Sequence, residues 1–249
     1  MKDEISMKSV FYWSPILDSV TGQFKKAEVQ AGMPAYNFGD VLGIDILQGV
    51  TNRRFAYGPI RTADIFVTGT TGQLIEMHGG AKEGAVIAGI GTDPRKETKI
   101  DWQTFYDVRL VRGPLTRKRW QLSKDTPLGD PGLLAKEVFG EFDYEHEIGF
   151  VRHFKDRTAV PAEVLKADRA IIIDAGRPPS DVIPEIASCE LIVTSSLHGA
   201  IVADSYGIPW RRHSAGVGLD LKWNDYQLAV EDRGVSGLCE DIQRVLRDI

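Results

Sequence analysis

A short polar segment, Thr194-Ser195-Ser196-Leu197-His198-Gly199, follows directly on the apolar run of residues 191–193. The run is typical of a buried parallel strand, and Ser195 or Ser196 is a suitable N-cap for a helix that starts there. A helix start presents unpaired backbone N–H groups and a partial positive charge, so it favours a phosphate or carboxylate and a neutral His198 that can take or give a proton. The alternative is that the serines only cap the helix and the histidine is a satisfied polar residue.

Arg112 stands at the predicted carboxyl end of another strand, residues 107–112, immediately before Gly113-Pro114. Proline is favoured in the first turn of a helix, so a second helix start is expected beside the arginine. A guanidinium there can form two hydrogen bonds to a phosphate or carboxylate, although a surface arginine at a strand end explains this segment equally well. Residues 117–119, Arg-Lys-Arg, are expected to form a solvated basic helix face.

The motif Asn37-Phe38-Gly39-Asp40 precedes a mostly apolar stretch, residues 41–50, that predicts a helix. Gly39 lets backbone or ligand come close, and Asp40 can cap the helix or accept a hydrogen bond from a hydroxyl. The simpler interpretation is a turn followed by an N-cap.

Two further predicted strands end in glycine, the first at Gly69 and Gly72 and the second at Gly91. An open α/β sheet binds ligands at the carboxyl ends of its strands. Neither segment shows Gly-x-Gly-x-x-Gly opening a helix, and the chain has no Gly-Lys-Ser/Thr phosphate loop, so classical NAD and ATP sites are disfavoured. Asp130 lies at another turn-rich strand end, where it either orients a neighbour or holds the turn.

Strand-like and helix-like segments alternate along the chain, which predicts an α/β fold. A charged segment without a clear period precedes a second set of strands. The domain boundary is therefore expected near Phe142, with domains at residues 1–142 and 143–249. Residues 170–174 predict a buried strand, residues 215–218 a glycine-rich loop, and a C-terminal helix is expected from Gly237 onward.

The formal net charge is −5 and the pI about 5.6, so nucleic acid is not an expected partner. Two scattered cysteines are too few for a disulfide framework, and the acidic residues 143–147 lack a helical ligand motif, so no metal is expected. The chain shows neither a signal peptide nor a run of about 18 apolar residues, which predicts a cytoplasmic protein. Residues 1–7 are interpreted as an extension, and the oligomeric state is left open.

Taken in order, these motifs resemble the polysaccharide pyruvyl transferase family, particularly members that add pyruvyl ketals to bacterial exopolysaccharides. No single motif is diagnostic, and the resemblance lies in the ordered set over residues 37–210. The motifs are Asn37-Phe38-Gly39-Asp40, the glycine-ended strands around 69–72 and 89–91, Val111-Arg112-Gly113-Pro114-Leu115-Thr116, Leu128-Gly129-Asp130-Pro131, Gly149-Phe150-Val151-Arg152-His153 and Thr194-Ser195-Ser196-Leu197-His198-Gly199.

The resemblance implies two Rossmann-like domains facing across a cleft, as in glycosyltransferases of the GT-B type. It also implies transfer of the pyruvyl group of phosphoenolpyruvate, the co-substrate, onto a sugar hydroxyl pair of an exopolysaccharide or its lipid-linked precursor, without a cofactor or metal. Because family members use an arginine in the Val-Arg motif and a histidine in the Leu-His-Gly motif, Arg112 and His198 are the predicted catalytic residues, with His198 as general acid and base. Substrate contacts are predicted for Asn37, Gly39, Asp40, Gly69, Gly72, Gly91, Asp130, His153, Ser195, Ser196, Leu197 and Gly199.

Many family members carry an arginine where this chain has Ser196. Arg152, Arg211 and Arg212 are the candidates to supply its charge. A lipid-linked acceptor would bring the protein to the inner face of the membrane, where residues 117–119 would make at most a peripheral contact.

Other functions fit the same motifs. A nucleotide-sugar-dependent glycosyltransferase of GT-B type would need a ribose contact, for which Asp204 and Asp220 are available. A non-catalytic sugar- or phosphate-binding module would tolerate the loss of His198. A serine hydrolase is disfavoured because the chain has no Gly-x-Ser-x-Gly elbow.

Overall fold

The computed structural model describes residues 7–93, 98–153, 155–213 and 220–249. The strands are β1 Ser9–Phe11, β2 Ala56–Tyr57, β3 Ile65–Phe66, β4 Val86–Ala88, β5 Asp107–Leu110, β6 Ile148–Arg152, β7 Ala170–Asp174, β8 Ile192–Thr194 and β9 Trp210–Arg212. The helices are α1 Lys26–Gln30, α2 Phe38–Thr51, α3 Thr71–Met77, α4 Trp102–Phe105, α5 Pro114–Arg119, α6 Ala135–Phe139, α7 Ala162–Lys166, α8 Pro179–Ala187, α9 Leu197–Tyr206 and α10 Asp220–Arg247, with a 3-10 helix at Pro131–Leu134.

The strands form two parallel sheets. The first sheet has the order β2-β1-β3-β4-β5 and the second β7-β6-β8-β9. In each sheet the chain order reverses at one point, between β1 and β3 and between β6 and β8. Such a reversal opens a crevice at the carboxyl ends of the two strands, where α/β sheets bind ligands. The parallel sheets confirm the α/β class, whereas the pair of Rossmann-like domains in a GT-B arrangement stays a prediction.

Central strands are mostly apolar because both faces of a parallel sheet are covered. All three residues of β8 are buried, and β4 is likewise buried along its length. Residues 170–174 form a strand as predicted, but the prediction that this strand is buried is wrong. These residues form β7 at the edge of the second sheet, where it pairs with β6, and Ile172 is 52% exposed.

The C-terminal helix begins at Asp220, not at Gly237 as expected. Trp223 and Tyr226 are buried at helical spacing, but the polar residues between them, Asn224 and Asp225, hide this pattern in the sequence. Gly234 interrupts the helix with φ 65° and ψ 160°, a conformation that glycine adopts at little steric cost.

A continuous apolar core joins the two halves of the chain. It includes Phe66 and Ile87 of the first sheet, Val151 and Ile192 of the second, and Leu246 of α10. α10 belongs to the second half in sequence, yet it packs against α2 and α5 of the first half. The boundary near Phe142 therefore stays a prediction.

The expected basic face at residues 117–119 is not formed. Arg119 is almost buried in an ion pair with Glu76 at 2.6 Å, and Arg117 donates to the backbone carbonyl of Lys124 at 2.8 Å. Of the three, Lys118 is exposed and the two arginines are partly buried. Across the described residues, no helix has both the length and the apolar character needed to cross a bilayer. Residues 1–6 and the glycine-rich loop at 215–218 lie outside the described residues.

Candidate active site

A cavity of about 390 Å³ lies at the carboxyl ends of the two sheets. Residues that follow β1, β3 and β5 form one part of its wall, residues that follow β6 and β8 form another, and α10 closes it. Both chain-order reversals therefore face the same space, as ligand binding in α/β sheets requires. The predicted site residues on the wall are Asn37, Asp40, Gly69, Arg112, His153, Ser196, Leu197 and His198.

His198 lies in the first turn of α9, which begins where β8 ends. Ser196 occupies the N-cap position, but its side chain makes no capping hydrogen bond. Gly39 of α2 packs directly on the imidazole, since a Cβ at this position would lie 2.0 Å from Nδ1 of His198. A glycine is therefore required at position 39 for α2 and α9 to approach this closely.

Asp130 lies behind His198 and is fully buried. Its Oδ2 is 3.6 Å from Nε2 of His198, and within the described part of the chain neither atom has a hydrogen-bond partner. The other carboxylate oxygen accepts a hydrogen bond from the backbone N–H of Gly132 at 3.0 Å, which fixes the aspartate. A movement of roughly 0.5 Å would bring the pair within hydrogen-bond range, so Asp130 can orient the imidazole without touching a ligand.

Arg112 is 1% exposed although it lies on the cavity wall. Its guanidinium lies against Gly91, where a Cβ would be 2.2 Å from Nη2. Nη1 donates a long hydrogen bond of 3.4 Å to Oγ1 of Thr70, whereas Nε and Nη2 find no hydrogen-bond partner in the described residues. Buried donors that stay unpaired cost about 1–3 kcal/mol each, more when charged, which makes them a favourable place for an anionic ligand.

The helix start beside Arg112 exists as predicted, but another part of the protein occupies it. Asp225 of α10 accepts hydrogen bonds from the backbone N–H groups of Leu115 and Thr116, at 2.8 Å and 3.1 Å. The open helix start at the cavity is instead that of α9. The N–H groups of Leu197 and His198 have no backbone or side-chain acceptor among the described residues.

Lys222 of α10 lies on the cavity wall and was not predicted from the sequence. Burial and, to a smaller extent, the positive charge of Arg112 lower the pKa of its ammonium from 10.5 to about 8. Lys222 forms no ion pair or hydrogen bond with the described residues. No local motif marks this lysine, because it reaches the cavity only through the packing of α10.

The three arginines expected to replace the family's second arginine do not line the cavity. Arg152 donates to the backbone carbonyl of Thr158 at 3.3 Å, and Arg211 lies 3.8 Å from Glu163. Arg212 pairs with Asp220. The further cations on the cavity wall are Lys155 and Lys222, and the pKa of Lys222 is the one that the charge of Arg112 lowers.

Asn37 and Asp40 form a hydrogen-bonded pair, in which the amide nitrogen of Asn37 donates to Oδ2 of Asp40. Burial raises the pKa of Asp40, while the nearby His198 and the hydrogen bond from Asn37 act in the opposite direction. Gly69 approaches the same carboxylate with φ +87°, and a Cβ there would lie 2.2 Å from Oδ1.

His153 also reaches the wall, from the end of β6. Burial and the positive charges of Lys222 and Lys155 lower the pKa of His153 to about 4. His153 is therefore neutral at physiological pH and adds no charge to the cavity.

The remaining predicted residues lie behind the wall. Ser195 donates to Oδ2 of the buried Asp156 at 2.7 Å and accepts from the backbone N–H of His153 at 3.0 Å. Gly72 packs on Trp120 and Gly199 on Thr194, with Cβ positions 2.3 Å and 2.5 Å from these side chains. These two glycines, like Gly39 and Gly91, allow neighbouring side chains to pack closely. Substrate contacts of the residues behind the cavity wall stay predictions.

Comparison with known proteins bears on the same residues. Residues 88–211 match the family model described as polysaccharide pyruvyl transferase. The succinoglycan biosynthesis protein ExoV of Rhizobium meliloti (strain 1021) is 34% identical over 144 residues, which cover 55% of this chain and 44% of that protein. The uncharacterized protein L143 of Acanthamoeba polyphaga mimivirus is 34% identical over 144 residues, covering 50% of this chain and 48% of its own length.

This chain thus spans less than half the length of both curated relatives. No solved structure matches it significantly. The family match includes Arg112, Asp130, His153 and residues 195–199, whereas Asn37, Asp40 and Lys222 lie outside it. The chain is therefore a member of the polysaccharide pyruvyl transferase family over residues 88–211.

Proposed function

We propose that this protein transfers the pyruvyl group of phosphoenolpyruvate onto two hydroxyls of one sugar in an exopolysaccharide or its lipid-linked precursor. The proposal rests chiefly on the guanidinium of Arg112, which is buried at the cavity wall and whose Nε and Nη2 have no hydrogen-bond partner among the described residues. Phosphoenolpyruvate carries a phosphate and a carboxylate, both of which accept two hydrogen bonds from a guanidinium. Family membership supports the type of reaction.

Three groups supply positive potential to the donor in this proposal. Arg112 and Lys222 carry full charges, and the start of α9 contributes the unpaired N–H groups of Leu197 and His198. We call the part of the cavity formed by these groups the donor site. A phosphate monoester carries about −1.5 to −2 charges at pH 7, and the carboxylate adds one more, so the ligand is attracted by both cations and by the helix start.

The reaction forms two C–O bonds and breaks one. The methylene carbon of phosphoenolpyruvate takes up a proton, and one sugar hydroxyl bonds to the adjacent carbon as it loses its own proton. The second hydroxyl then bonds to the same carbon, the bond to the phosphate oxygen breaks, and the second proton leaves with inorganic phosphate. The product is a ketal that carries a methyl group and a carboxylate.

His198 is the proposed acid and base for these proton transfers. Its Nε2 is buried against Asp130, so proton exchange falls to Nδ1. Asn37 and Asp40 are the proposed contacts for the acceptor hydroxyls, because an amide and a carboxylate together offer donor and acceptor groups.

Calorimetric titration tests the donor. Wild-type protein is titrated with phosphoenolpyruvate and, separately, with a panel of nucleotide sugars. We expect binding of phosphoenolpyruvate, weakened at least about tenfold in Arg112→Lys because lysine cannot form the bidentate contact. Lys118→Ala is the control, since this exposed lysine on α5 faces away from the cavity. Selective binding of a nucleotide sugar would instead support glycosyl transfer. If neither phosphoenolpyruvate nor a nucleotide sugar binds, the proposed donor is contradicted.

Turnover provides the second test. Inorganic phosphate should be released from phosphoenolpyruvate only when a glycan acceptor is present. We expect His198→Ala to abolish this release while circular dichroism and melting temperature stay near those of the wild type. An active and normally folded His198→Ala protein would remove the histidine from the mechanism.

A further inference from the structure

Asp225 is a fully buried carboxylate on α10 whose contacts lie around Arg112. Oδ1 accepts hydrogen bonds from the backbone N–H groups of Leu115 and Thr116, at 2.8 Å and 3.1 Å. Oδ2 accepts a hydrogen bond from Oγ1 of Thr116 at 2.6 Å and lies 3.7 Å from Nε of Arg112. The carboxylate thus joins the start of α5 to the guanidinium that precedes it.

Close backbone packing holds Asp225 in this place. A Cβ on Gly113 would lie 2.0 Å from the backbone oxygen of Asp225 and 2.4 Å from its Oδ1. On the other side, Gly91 lies against the guanidinium, with a Cβ position 2.2 Å from Nη2. Arg112 is therefore confined between the backbone at Gly91 and a carboxylate that is held by close packing and hydrogen bonds.

The arrangement leaves the guanidinium able to bind a ligand. A separation of 3.7 Å is too long for a hydrogen bond, so Asp225 attracts Nε of Arg112 without engaging its N–H, which is buried and has no hydrogen-bond partner among the described residues. Three hydrogen bonds received from α5 disperse the charge of Asp225, which limits its repulsion of an anion in the cavity.

We propose that Asp225 is a positioning residue that fixes the guanidinium of Arg112 in the orientation required by the donor site. The identity of the ligand, phosphoenolpyruvate, rests on the proposed function, whereas the constraint on Arg112 is independent of it. Asp225 follows Lys222 by one helical turn, so docking of α10 on α5 sets both cations of the donor site. No sequence motif joins these residues.

The first experiment measures the mobility of Arg112 without any ligand. In ¹⁵N-labelled protein the Nε–Hε signal of Arg112 is assigned by its absence in Arg112→Lys. We expect an order parameter of about 0.8 in the wild type and below about 0.6 in Asp225→Asn, which keeps an oxygen to cap α5 but loses the charge. Asp225→Ser is the second variant if the asparagine protein does not fold.

Thr116→Val is the matched control, because it removes one hydrogen bond of Asp225 and leaves the carboxylate beside Arg112. Its melting temperature should fall while the Arg112 order parameter stays at the wild-type value. An unchanged order parameter in Asp225→Asn, or an equal loss in Thr116→Val, would overturn the proposal.

The second experiment measures affinity for phosphoenolpyruvate in a double-mutant cycle. Asp225→Asn should weaken binding about tenfold, because ordering one long side chain then becomes a cost of binding. In the Arg112→Lys background the same substitution should change affinity less than about threefold, since Asp225 acts through Arg112. Tighter binding in Asp225→Asn, or effects that simply multiply, would refute the positioning role. If the wild type does not bind phosphoenolpyruvate, the proposed function fails, and the mobility measurement alone decides the role of Asp225.

Discussion

Replacing Lys222 with methionine removes one positive charge from the donor site and keeps an unbranched side chain. Burial and the charge of Arg112 lower the pKa of this lysine to about 8, within the range of an ordinary pH titration. Lys222 is therefore roughly nine-tenths protonated at pH 7 and one-tenth protonated at pH 9. Since only the protonated form attracts an anion, phosphoenolpyruvate should bind more weakly as pH rises through 8.

The size of the effect follows from the charge. A hydrogen bond to a charged group contributes about 1.5–3 kcal/mol, so Lys222→Met should weaken phosphoenolpyruvate binding about 10- to 150-fold at pH 7. In the wild type, Kd should increase about three- to sevenfold between pH 8.5 and 9.5, because most bound anions must then draw one proton onto Lys222. The phosphate of the ligand loses its last proton near pH 6, so its charge is constant over this range.

Calorimetry at half-unit steps from pH 7 to 9.5 measures this dependence, with Lys118→Met as the exposed control. The slope above pH 8 should be present in the wild type and in the control and absent in Lys222→Met. An equal slope in all three proteins would refute the assignment of the titration to Lys222.

Stability should change with pH in the opposite direction, which separates binding from unfolding. The pKa of Lys222 is about 8 in the folded protein and near its ordinary 10.5 when unfolded. Between these values the unfolded state binds more protons, so the contribution of Lys222 to the free energy of unfolding rises with pH. Deprotonation of Lys222 therefore does not destabilise the fold at pH 9, so it cannot weaken binding by unfolding the protein.

Three further outcomes are expected. His198→Gln should abolish phosphate release while the calorimetric Kd for phosphoenolpyruvate stays within about threefold of the wild-type value. The reason is that the histidine moves protons in the proposed mechanism and does not balance the negative charge of phosphoenolpyruvate. A loss of phosphoenolpyruvate binding would instead make His198 a donor contact. Gly91→Ala places a Cβ 2.2 Å from Nη2 of Arg112, so it should displace the guanidinium and raise the Kd for phosphoenolpyruvate at least about tenfold. An affinity equal to that of the wild type would show that the guanidinium does not bind phosphoenolpyruvate. Burial raises the pKa of Cys189 to about 12, so this thiol should react with iodoacetamide at pH 8 only after the protein is unfolded. Mass spectrometry measures the modification, and labelling of the native protein would contradict the burial of Cys189.

Strand ends were the part of the site that sequence alone could predict. Apolar runs that stop at polar residues mark the carboxyl ends of parallel strands, and all such ends of one sheet lie on the same edge. This rule places Arg112 at the carboxyl edge of the first sheet and His198 at that of the second, but only the packing of the two sheets brings both edges to one cavity. The α/β class followed from the same alternation of strands and helices.

Partners that come from distant parts of the chain were decided by the tertiary structure. Lys222 and Asp225 reach Arg112 because α10 packs across the start of α5, and the sequence predicted a helix only from Gly237 onward. The pKa of Lys222 depends on burial and on a neighbour 110 positions earlier in the chain, Arg112. Helical periodicity reports which side of a segment is apolar, but the surface that covers that side is chosen by packing of the whole chain.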